Sequence, residues 1–103
     1  MEEEARILSN IDAREFYRIV GHRASASYSA AKLMWVQKHE PELYARTHKM
    51  LHAKDWLNFK LTGVLASEYS DASGTNLLDL SSLSWSPRLV QAAGLDGDKL
   101  PRL

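Results

Sequence analysis

The chain has 103 residues, of which 45% are hydrophobic and 25% charged, a composition typical of one small globular domain. Its 13 basic and 13 acidic side chains balance, so no charge excess favours nucleic acid or an anionic membrane as a partner. The absence of cysteine excludes disulfide and thiolate chemistry, and no apolar run approaches the roughly 20 residues of a membrane span. Residues 2–4 are acidic, the wrong charge for a signal peptide, so we expect a cytoplasmic protein.

Two helices and a loop are predicted at the start of the chain. Residues 2–8 form a short helix. Asp12 begins a second helix in the pattern of a capping box, in which the Glu15 side chain reaches back to the backbone of Asp12. Gly21 should end this helix, because glycine readily takes the left-handed conformation that closes a helix. The small and polar residues 22–28 predict a loop.

A third helix is predicted to begin at Ser29. The serine hydroxyl can accept a hydrogen bond from an unpaired N–H group of the first turn, which makes Ser29 a good N-cap. The apolar residues that follow are spaced to fit one buried helix face. We expect this helix to end near Glu40, because Pro41 disfavours helical geometry in the residue before it and suits the first turn of another helix.

The middle of the chain predicts a strand followed by a helix. Residues 49–52 are short and apolar, which favours a buried strand. Asp55 is predicted to cap a helix over residues 56–62, and Gly63 is predicted to end it.

After residue 63 the spacing of apolar residues changes. Residues 66–69 and 76–80 favour extended structure, and the turn-rich residues 71–75 join them. A last helix over residues 86–93 follows and ends at Gly94. The predicted fold class is therefore α+β, mainly helical with a small β element.

Hydroxyl-bearing side chains precede the third helix at Ser25, Ser27 and Tyr28, and Ser29 continues the series. The N-terminus of a helix favours anions or polar ligand groups, because unpaired N–H groups and the helix dipole both point there. The residues alone leave two interpretations open. The segment is either an ordinary cap and turn or part of a site for a polar ligand.

A second candidate site is the stretch Asp71-Ala72-Ser73-Gly74-Thr75. An aspartate beside a glycine could combine a catalytic carboxylate with a phosphate-binding loop, as phosphoryl transfer requires. However, the stretch has no lysine to meet phosphate oxygens as a P-loop would. We interpret Asp71 and Ser73 as parts of a supporting turn, with ligand contact as the alternative.

The histidines and tryptophans are better explained without a ligand. His48 and His52 are four residues apart, so on a helix their imidazoles would lie on one face with the spacing of zinc ligands. However, Lys49 replaces the glutamate of the metalloprotease pattern, and no third ligand has a characteristic spacing. We therefore predict no metal site. Large rings usually dominate core burial. On this basis three residues are predicted to be core: Trp35, Trp56 and Trp85.

Residues 27–39, Ser-Tyr-Ser-Ala-Ala-Lys-Leu-Met-Trp-Val-Gln-Lys-His, resemble the first signature of the FGGY carbohydrate kinases. The matching positions are Ser27, Ser29, Lys32, Leu33, Trp35, Val36, Lys38 and His39. The resemblance continues through residues 39–44, 53–57, 61–63 and 68–75 and the pairs at 85–86 and 100–101. Xylulose kinases are the most similar subgroup. Because these kinases are several times longer, residues 1–103 resemble a single internal fragment, or insertion, of a ribonuclease H-like (actin-like ATPase) N-terminal lobe.

The resemblance implies that the parent protein is an ATP- and Mg²⁺-dependent kinase of a pentulose, D-xylulose by preference, to which this chain contributes one wall of the sugar site. In related glycerol kinases the first signature position is an aromatic residue that touches the polyol. Here that position is Ser27, with Tyr28 beside it, so Ser27, Tyr28 and Ser29 become candidate substrate contacts. Asp71 and Ser73 are further candidates.

The family's catalytic base and phosphate loop lie in other motifs, a later Gly-Asp and an earlier Asp-Gly-Thr, which this chain lacks. We therefore expect no catalytic residue, no bound ATP or Mg²⁺ and no kinase activity in the isolated chain. A non-catalytic helical interaction module, or a degenerate kinase relic, is the alternative. We also expect a fragment to expose apolar surface and to self-associate.

Overall fold

The computed structural model describes residues 2–103, and helices carry most of this backbone. The helices are α1 Glu2–Asn10, α2 Ala13–Val20, α3 Ser29–His39, α4 Pro41–Arg46, α5 Ala53–Thr62, α6 Tyr69–Ser73 and α7 Pro87–Ala93, with a 3₁₀ turn at Gly97–Lys99. Two short strands, β1 Leu78–Asp79 and β2 Ser84–Trp85, pair antiparallel with Leu78 opposite Trp85. The predicted class, mainly helical with a small β element, is confirmed.

The hydrophobic core lies between α1, α2, α3 and α7 and the segment that follows α6. On α3 the buried residues Ala30, Leu33 and Met34 recur with helical spacing, so one face of this helix meets the core. Other large core side chains are Ile7, Phe16, Val20, Leu77 and Leu89. Burial of a side chain of this size contributes about 1.5–3 kcal/mol to the free energy of unfolding. This core holds the beginning of α3 in a fixed place.

Several helix ends agree with their predicted signals. The Asp12 carboxylate accepts hydrogen bonds from the backbone N–H groups of Arg14 at 3.0 Å and Glu15 at 3.3 Å. Gly21 ends α2 with a φ of 81°, in the left-handed region that favours glycine. The Glu15 carboxylate does not complete the predicted capping box, because it lies 3.6 Å from Arg88 Nε.

Two predicted caps are displaced. Tyr28 is the residue before α3, so Ser29 is the first helical residue and its hydroxyl is free to bond elsewhere. His52 precedes α5, and Asp55 lies inside the first turn. There the Asp55 carboxylate accepts the N–H of His52 at 3.1 Å, as the acidic residue of a capping box does. Asp55 therefore stabilises the helix start from within the helix.

The predicted extended segments are confirmed only in part. Residues 49–52 have irregular backbone rather than a strand, although the Met50 N–H donates to the Lys99 carbonyl at 2.7 Å. Residues 66–68 are extended as predicted, and Ala66 forms an isolated parallel bridge with Arg102. The turn predicted over residues 71–75 is partly wrong, because residues 71–73 belong to α6, where the Glu68 carboxylate accepts from the N–H groups of Ser70 and Asp71, both at 2.9 Å. Glutamate is not among the preferred N-caps, so the pattern did not predict this helix. Of residues 76–80, only β1 is a strand.

The prediction that all three tryptophans are core residues is wrong for two of them. Trp35 is 48% exposed and stacks on His39 with ring centroids 4.5 Å apart, and Trp56 is 54% exposed. Trp85 is half-buried against the core, and its Nε1 donates to the Pro101 carbonyl at 2.7 Å. On α5, Leu57 is exposed as well. None of the described helices is long and apolar enough to cross a membrane.

The same substitution at a buried and an exposed leucine tests this arrangement. Leu33 is 7% exposed and Leu61 is 84% exposed. We expect Leu33→Ala to lower the free energy of unfolding by about 2–5 kcal/mol, because it removes buried methyl groups and leaves a cavity. Leu61→Ala should change it by at most about 0.5 kcal/mol and should weaken self-association. Urea denaturation measures the first effect and light scattering the second. Equal losses of stability in the two variants would contradict the exposure of Leu61.

Candidate functional site

The two candidate segments lie side by side. We call residues 27–29 the hydroxyl segment and residues 71–75 the aspartate segment. The Ala30 N–H donates to the Thr75 carbonyl at 2.9 Å, and the Ser29 N–H donates to the Gly74 carbonyl at 3.4 Å. The first N–H groups of a helix lack partners within the helix. Here two of them are satisfied by the aspartate segment, so the start of α3 is joined directly to it.

A ring stack makes a second connection between the segments. The rings of Tyr28 and His22 stack with centroids 4.6 Å apart and an angle of 21° between their planes. His22 Nε2 lies 3.0 Å from the Ser73 carbonyl oxygen, which can only accept, so Nε2 carries the proton in this contact. Tyr28 is thereby held beside the aspartate segment. The loop predicted over residues 22–28 is confirmed and provides both rings.

A second histidine makes the third connection. Ser29 Oγ lies 2.6 Å from His52 Nε2, and His52 Nδ1 lies 3.7 Å from Asp71 Oδ2. All three residues are half-buried. Sequence reasoning considered His52 only as a metal ligand and missed this role. The available signal was its place directly before a helix whose third residue, Asp55, is acidic.

The remaining serines of the hydroxyl region bond to one another. Ser27 Oγ lies 2.8 Å from Ser25 Oγ, and the Ser27 N–H donates to Ser25 Oγ at 3.2 Å. Ser27 is exposed, while Tyr28 and Ser29 are half-buried. Within the aspartate segment, Ser73 contributes its backbone carbonyl to the His22 contact. The structure thus brings every predicted site residue to one region, with Ser27 at its outer edge.

A groove of about 330 Å³ begins beside Ser29. Its lining residues are Ser29, Lys32, Leu33, Val36, Met50, Leu51 and His52. Most of these side chains are apolar, and the Ser29 hydroxyl and the His52 imidazole form a polar end. Binding sites commonly combine an apolar lining with a few placed polar groups. Ser27 and Tyr28 do not line this groove. A ligand in the groove would reach their side chains only if it extended beyond the groove.

A family model described as the N-terminal domain of the FGGY family of carbohydrate kinases matches residues 1–103. The chain belongs to this family. The predicted family resemblance is confirmed, and the signature residues 27–39 comprise the hydroxyl segment and the whole of α3.

Individual FGGY relatives agree with this membership. The chain is 42% identical over 85 residues to a xylulose kinase of Escherichia coli, a match that covers 82% of this chain and 18% of that protein. It is 35% identical over 100 residues to an autoinducer-2 kinase of Salmonella typhimurium, covering 97% and 19% of the two chains. The chain therefore spans about a fifth of the length of these relatives.

Solved structures share the fold. A xylulose kinase from Brucella ovis superposes with a TM-score of 0.86 at 34% identity, covering 99% of this chain and 20% of that one. A xylulose kinase from Rhodospirillum rubrum superposes with a TM-score of 0.88 at 25% identity, covering 97% and 20%. The helices and short hairpin described above are therefore those of a sugar-kinase N-terminal domain.

In this FGGY domain an ion-pair cluster lies next to His52. Lys54 Nζ is 3.0 Å from Asp55 Oδ1, 3.4 Å from Glu68 Oε1 and 3.5 Å from Asp71 Oδ2. Asp55 is only 2% exposed, and its Oδ1 makes no aligned hydrogen bond, so the lysine balances this carboxylate through charge. The contact with Asp55 is the main cause that raises the pKa of Lys54.

The same cluster contains a possible set of metal ligands. His52, Asp55 and Asp71 each offer a ligand atom, and these atoms lie within 4.8 Å of one another. The Lys54 ammonium contacts both carboxylates and already supplies positive charge there, so the geometry favours an ion-pair cluster over a metal site. The helical spacing considered for His48 and His52 does not exist, because residues 49–52 are irregular.

The Glu68 carboxylate provides a test of the cluster. The Ser70 hydroxyl, the N–H groups of Ser70 and Asp71, and Lys54 lower the pKa of Glu68 from 4.5 to about 2. Because this pKa is lower in the folded chain, ionised Glu68 stabilises the fold above pH 4.5, and the stabilisation is lost as the pH falls toward about 2. NMR titration of the Glu68 carboxyl carbon should show the low midpoint, and Ser70→Ala should raise it.

Ser84→Ala, in β2, is the matched control and should leave the Glu68 midpoint unchanged. A midpoint near 4.5 in the unmodified chain, or no increase in Ser70→Ala, would show that the Ser70 hydroxyl does not stabilise this carboxylate.

Proposed function

We propose that this chain forms one wall of the sugar site in an ATP-dependent kinase of a pentulose, with D-xylulose as the first candidate. The main support is the backbone bond from Ala30 N–H to the Thr75 carbonyl, because it holds the hydroxyl segment against the aspartate segment. Both segments carry FGGY-like sequence. The names of the xylulose kinase relatives from Escherichia coli and Brucella ovis support the choice of sugar.

In this proposal the hydroxyl segment contacts the substrate. Ser27, Tyr28 and Ser29 offer hydroxyl groups of the kind that exchange hydrogen bonds with a polyol. Asp71 and Ser73 act mainly by holding His52 and His22, which in turn hold Ser29 and Tyr28. Fixed placement matters because phosphoryl transfer depends on positioning one sugar hydroxyl in line with the phosphate. The chain's contribution is therefore binding and orientation.

The rest of the reaction is assigned to the remainder of a ribonuclease H-like lobe and its partner lobe. ATP and Mg²⁺, when bound to the whole protein, supply the phosphoryl group and neutralise its charge. We assign no catalytic base, ATP contact or Mg²⁺ ligand to this chain, and we expect the isolated chain to be inactive. The proposal places the protein in the cytoplasm.

The second candidate function is a non-catalytic helical interaction module or a degenerate kinase relic. The exposed apolar side chains of α5, Trp56, Leu57 and Leu61, favour it, because such surfaces promote association with a partner or a second copy. The reading frame on either side distinguishes the two candidates. An Asp-Gly-Thr motif upstream and a Gly-Asp motif downstream favour the kinase, and stop codons on both sides favour the module.

A chimera tests the proposed function. The matched residues of the Escherichia coli xylulose kinase are replaced by those of this chain, and phosphorylation of D-xylulose is measured by steady-state kinetics. We expect an active chimera in which Tyr28→Ala and Ser29→Ala each raise the KM for D-xylulose by about threefold to tenfold, the equivalent of one hydrogen bond. The KM for ATP should not change, because no ATP contact is assigned to these residues.

Ser9→Ala, in α1, is the control and should change neither KM. An active chimera whose KM for D-xylulose is the same in Tyr28→Ala and Ser29→Ala would contradict the proposed sugar contact. ATP-dependent phosphorylation of D-xylulose by the purified 103-residue chain would contradict its expected inactivity.

A further inference from the structure

The hydrogen-bond polarity of Ser29 follows from its surroundings. A serine hydroxyl has one proton to donate and two lone pairs to accept with, so its partner decides what it offers to a ligand. Ser29 is the first residue of α3 and not its N-cap, which is Tyr28. Its Oγ lies 2.6 Å from His52 Nε2, at the polar end of the groove. The protonation of Nε2 therefore determines whether Ser29 donates or accepts toward that groove.

His52 is held by hydrogen bonds at its backbone N–H and at Nε2, and its Nδ1 lies near a carboxylate. Its backbone N–H donates to Asp55 Oδ2 at 3.1 Å, and its Nδ1 lies 3.7 Å from Asp71 Oδ2. The second distance is longer than a direct hydrogen bond, so the Asp71 carboxylate acts on the ring through its charge. Lys54 Nζ lies 3.5 Å from the same oxygen.

A carboxylate that faces Nδ1 favours a proton on that nitrogen, because a lone pair there would point at a negative oxygen. The neutral imidazole then has its lone pair on Nε2, and the Ser29 hydroxyl donates its proton to Nε2. Only lone pairs of the Ser29 oxygen remain for other partners. The opposite tautomer would place two electron-rich atoms, Nδ1 and Asp71 Oδ2, face to face.

We propose that Ser29 is a hydrogen-bond acceptor for a ligand hydroxyl, and that His52 and Asp71 are positioning residues that set this polarity. With the proposed function, on which this assignment of the ligand rests, the donor is a hydroxyl group of the sugar. A site that accepts discriminates against a ligand in which that hydroxyl is replaced by a group without a proton. His52 and Asp71 thus influence specificity through the proton position of Ser29, and Asp71 does so without lining the groove.

The same three side chains also resemble the set that activates a serine nucleophile. Acyl transfer additionally needs backbone N–H donors directed at a developing oxyanion. The N–H groups of Ser29 and Ala30, which are the closest candidates along the chain, donate instead to the carbonyls of Gly74 and Thr75. The arrangement therefore suits recognition of a hydroxyl group rather than acyl transfer.

The tautomer of His52 can be measured directly in the 103-residue chain. Long-range ¹H–¹⁵N NMR correlations distinguish a protonated Nδ1 from a protonated Nε2. We expect the tautomer with a protonated Nδ1 to dominate. Asp71→Asn should lower its population relative to the tautomer with a protonated Nε2. Asp79→Asn is the matched control, because Asp79 lies in the hairpin and its carboxylate accepts from Ser81. Protonated Nε2 in the unmodified chain, or no change in Asp71→Asn, would overturn the proposal.

The chimera described above adds a second readout. Singly deoxygenated and singly fluorinated D-xylulose analogues are compared, since fluorine can accept but cannot donate a hydrogen bond. At one hydroxyl position of the sugar, we expect the deoxygenated and the fluorinated analogue each to lose about tenfold in kcat/KM. Ser29→Ala should abolish that loss. If every singly fluorinated analogue binds as well as D-xylulose, the acceptor assignment is overturned. A chimera that fails to bind sugar would refute the proposed function, whereas the NMR result decides the polarity of Ser29 independently.

Discussion

The hydrogen bond from the Ala30 N–H to the Thr75 carbonyl, 2.9 Å long, is the contact on which the candidate site depends. It satisfies an N–H group that the helix itself leaves unpaired, and Ala30 and Thr75 are both buried, so leaving these groups unpaired would be costly. Because Met34 packs α3 into the core, this bond also fixes the position of the aspartate segment relative to the core. The contacts of Tyr28 and Ser29 with that segment follow from it.

Charge balance around Lys54 is the second requirement of the site. Asp55 is almost fully buried, and a buried carboxylate is costly unless it is paired or hydrogen-bonded. Lys54 and the His52 N–H satisfy this requirement, and the same lysine lies close to Asp71. One cation therefore contacts both the carboxylate in the first turn of α5 and the carboxylate beside the imidazole of His52. Structure and recognition share these side chains.

Sequence reasoning was most reliable where a local signal determines the local structure. Asp12, Gly21 and Pro41 each act on their own neighbours, and the helix ends they predicted are confirmed. The FGGY signature was equally readable, because it is a contiguous run of residues around α3. The proximity of the two candidate segments could not be predicted, since no local pattern encodes a bond between residues so distant in the chain.

The errors have the same physical origin. Trp35 and Met34 are adjacent and both large, and only the position of the core decides that one is buried and the other exposed. Glu68 begins α6 by an unusual capping contact, so the turn predicted over residues 71–75 was partly wrong. His52 gains its role from Ser29 and Asp71, which lie on other elements. Such roles depend on tertiary contacts, and they emerge only when the chain is folded.

Native-state amide hydrogen exchange of Ala30 tests the central claim most directly. If the bond to Thr75 anchors the site, the Ala30 amide should exchange as slowly as that of Met34, through global unfolding. The amide of Glu42, in the exposed first turn of α4, is the internal reference for a helix start without this anchor. Exchange of Ala30 as fast as that of Glu42 would contradict the account.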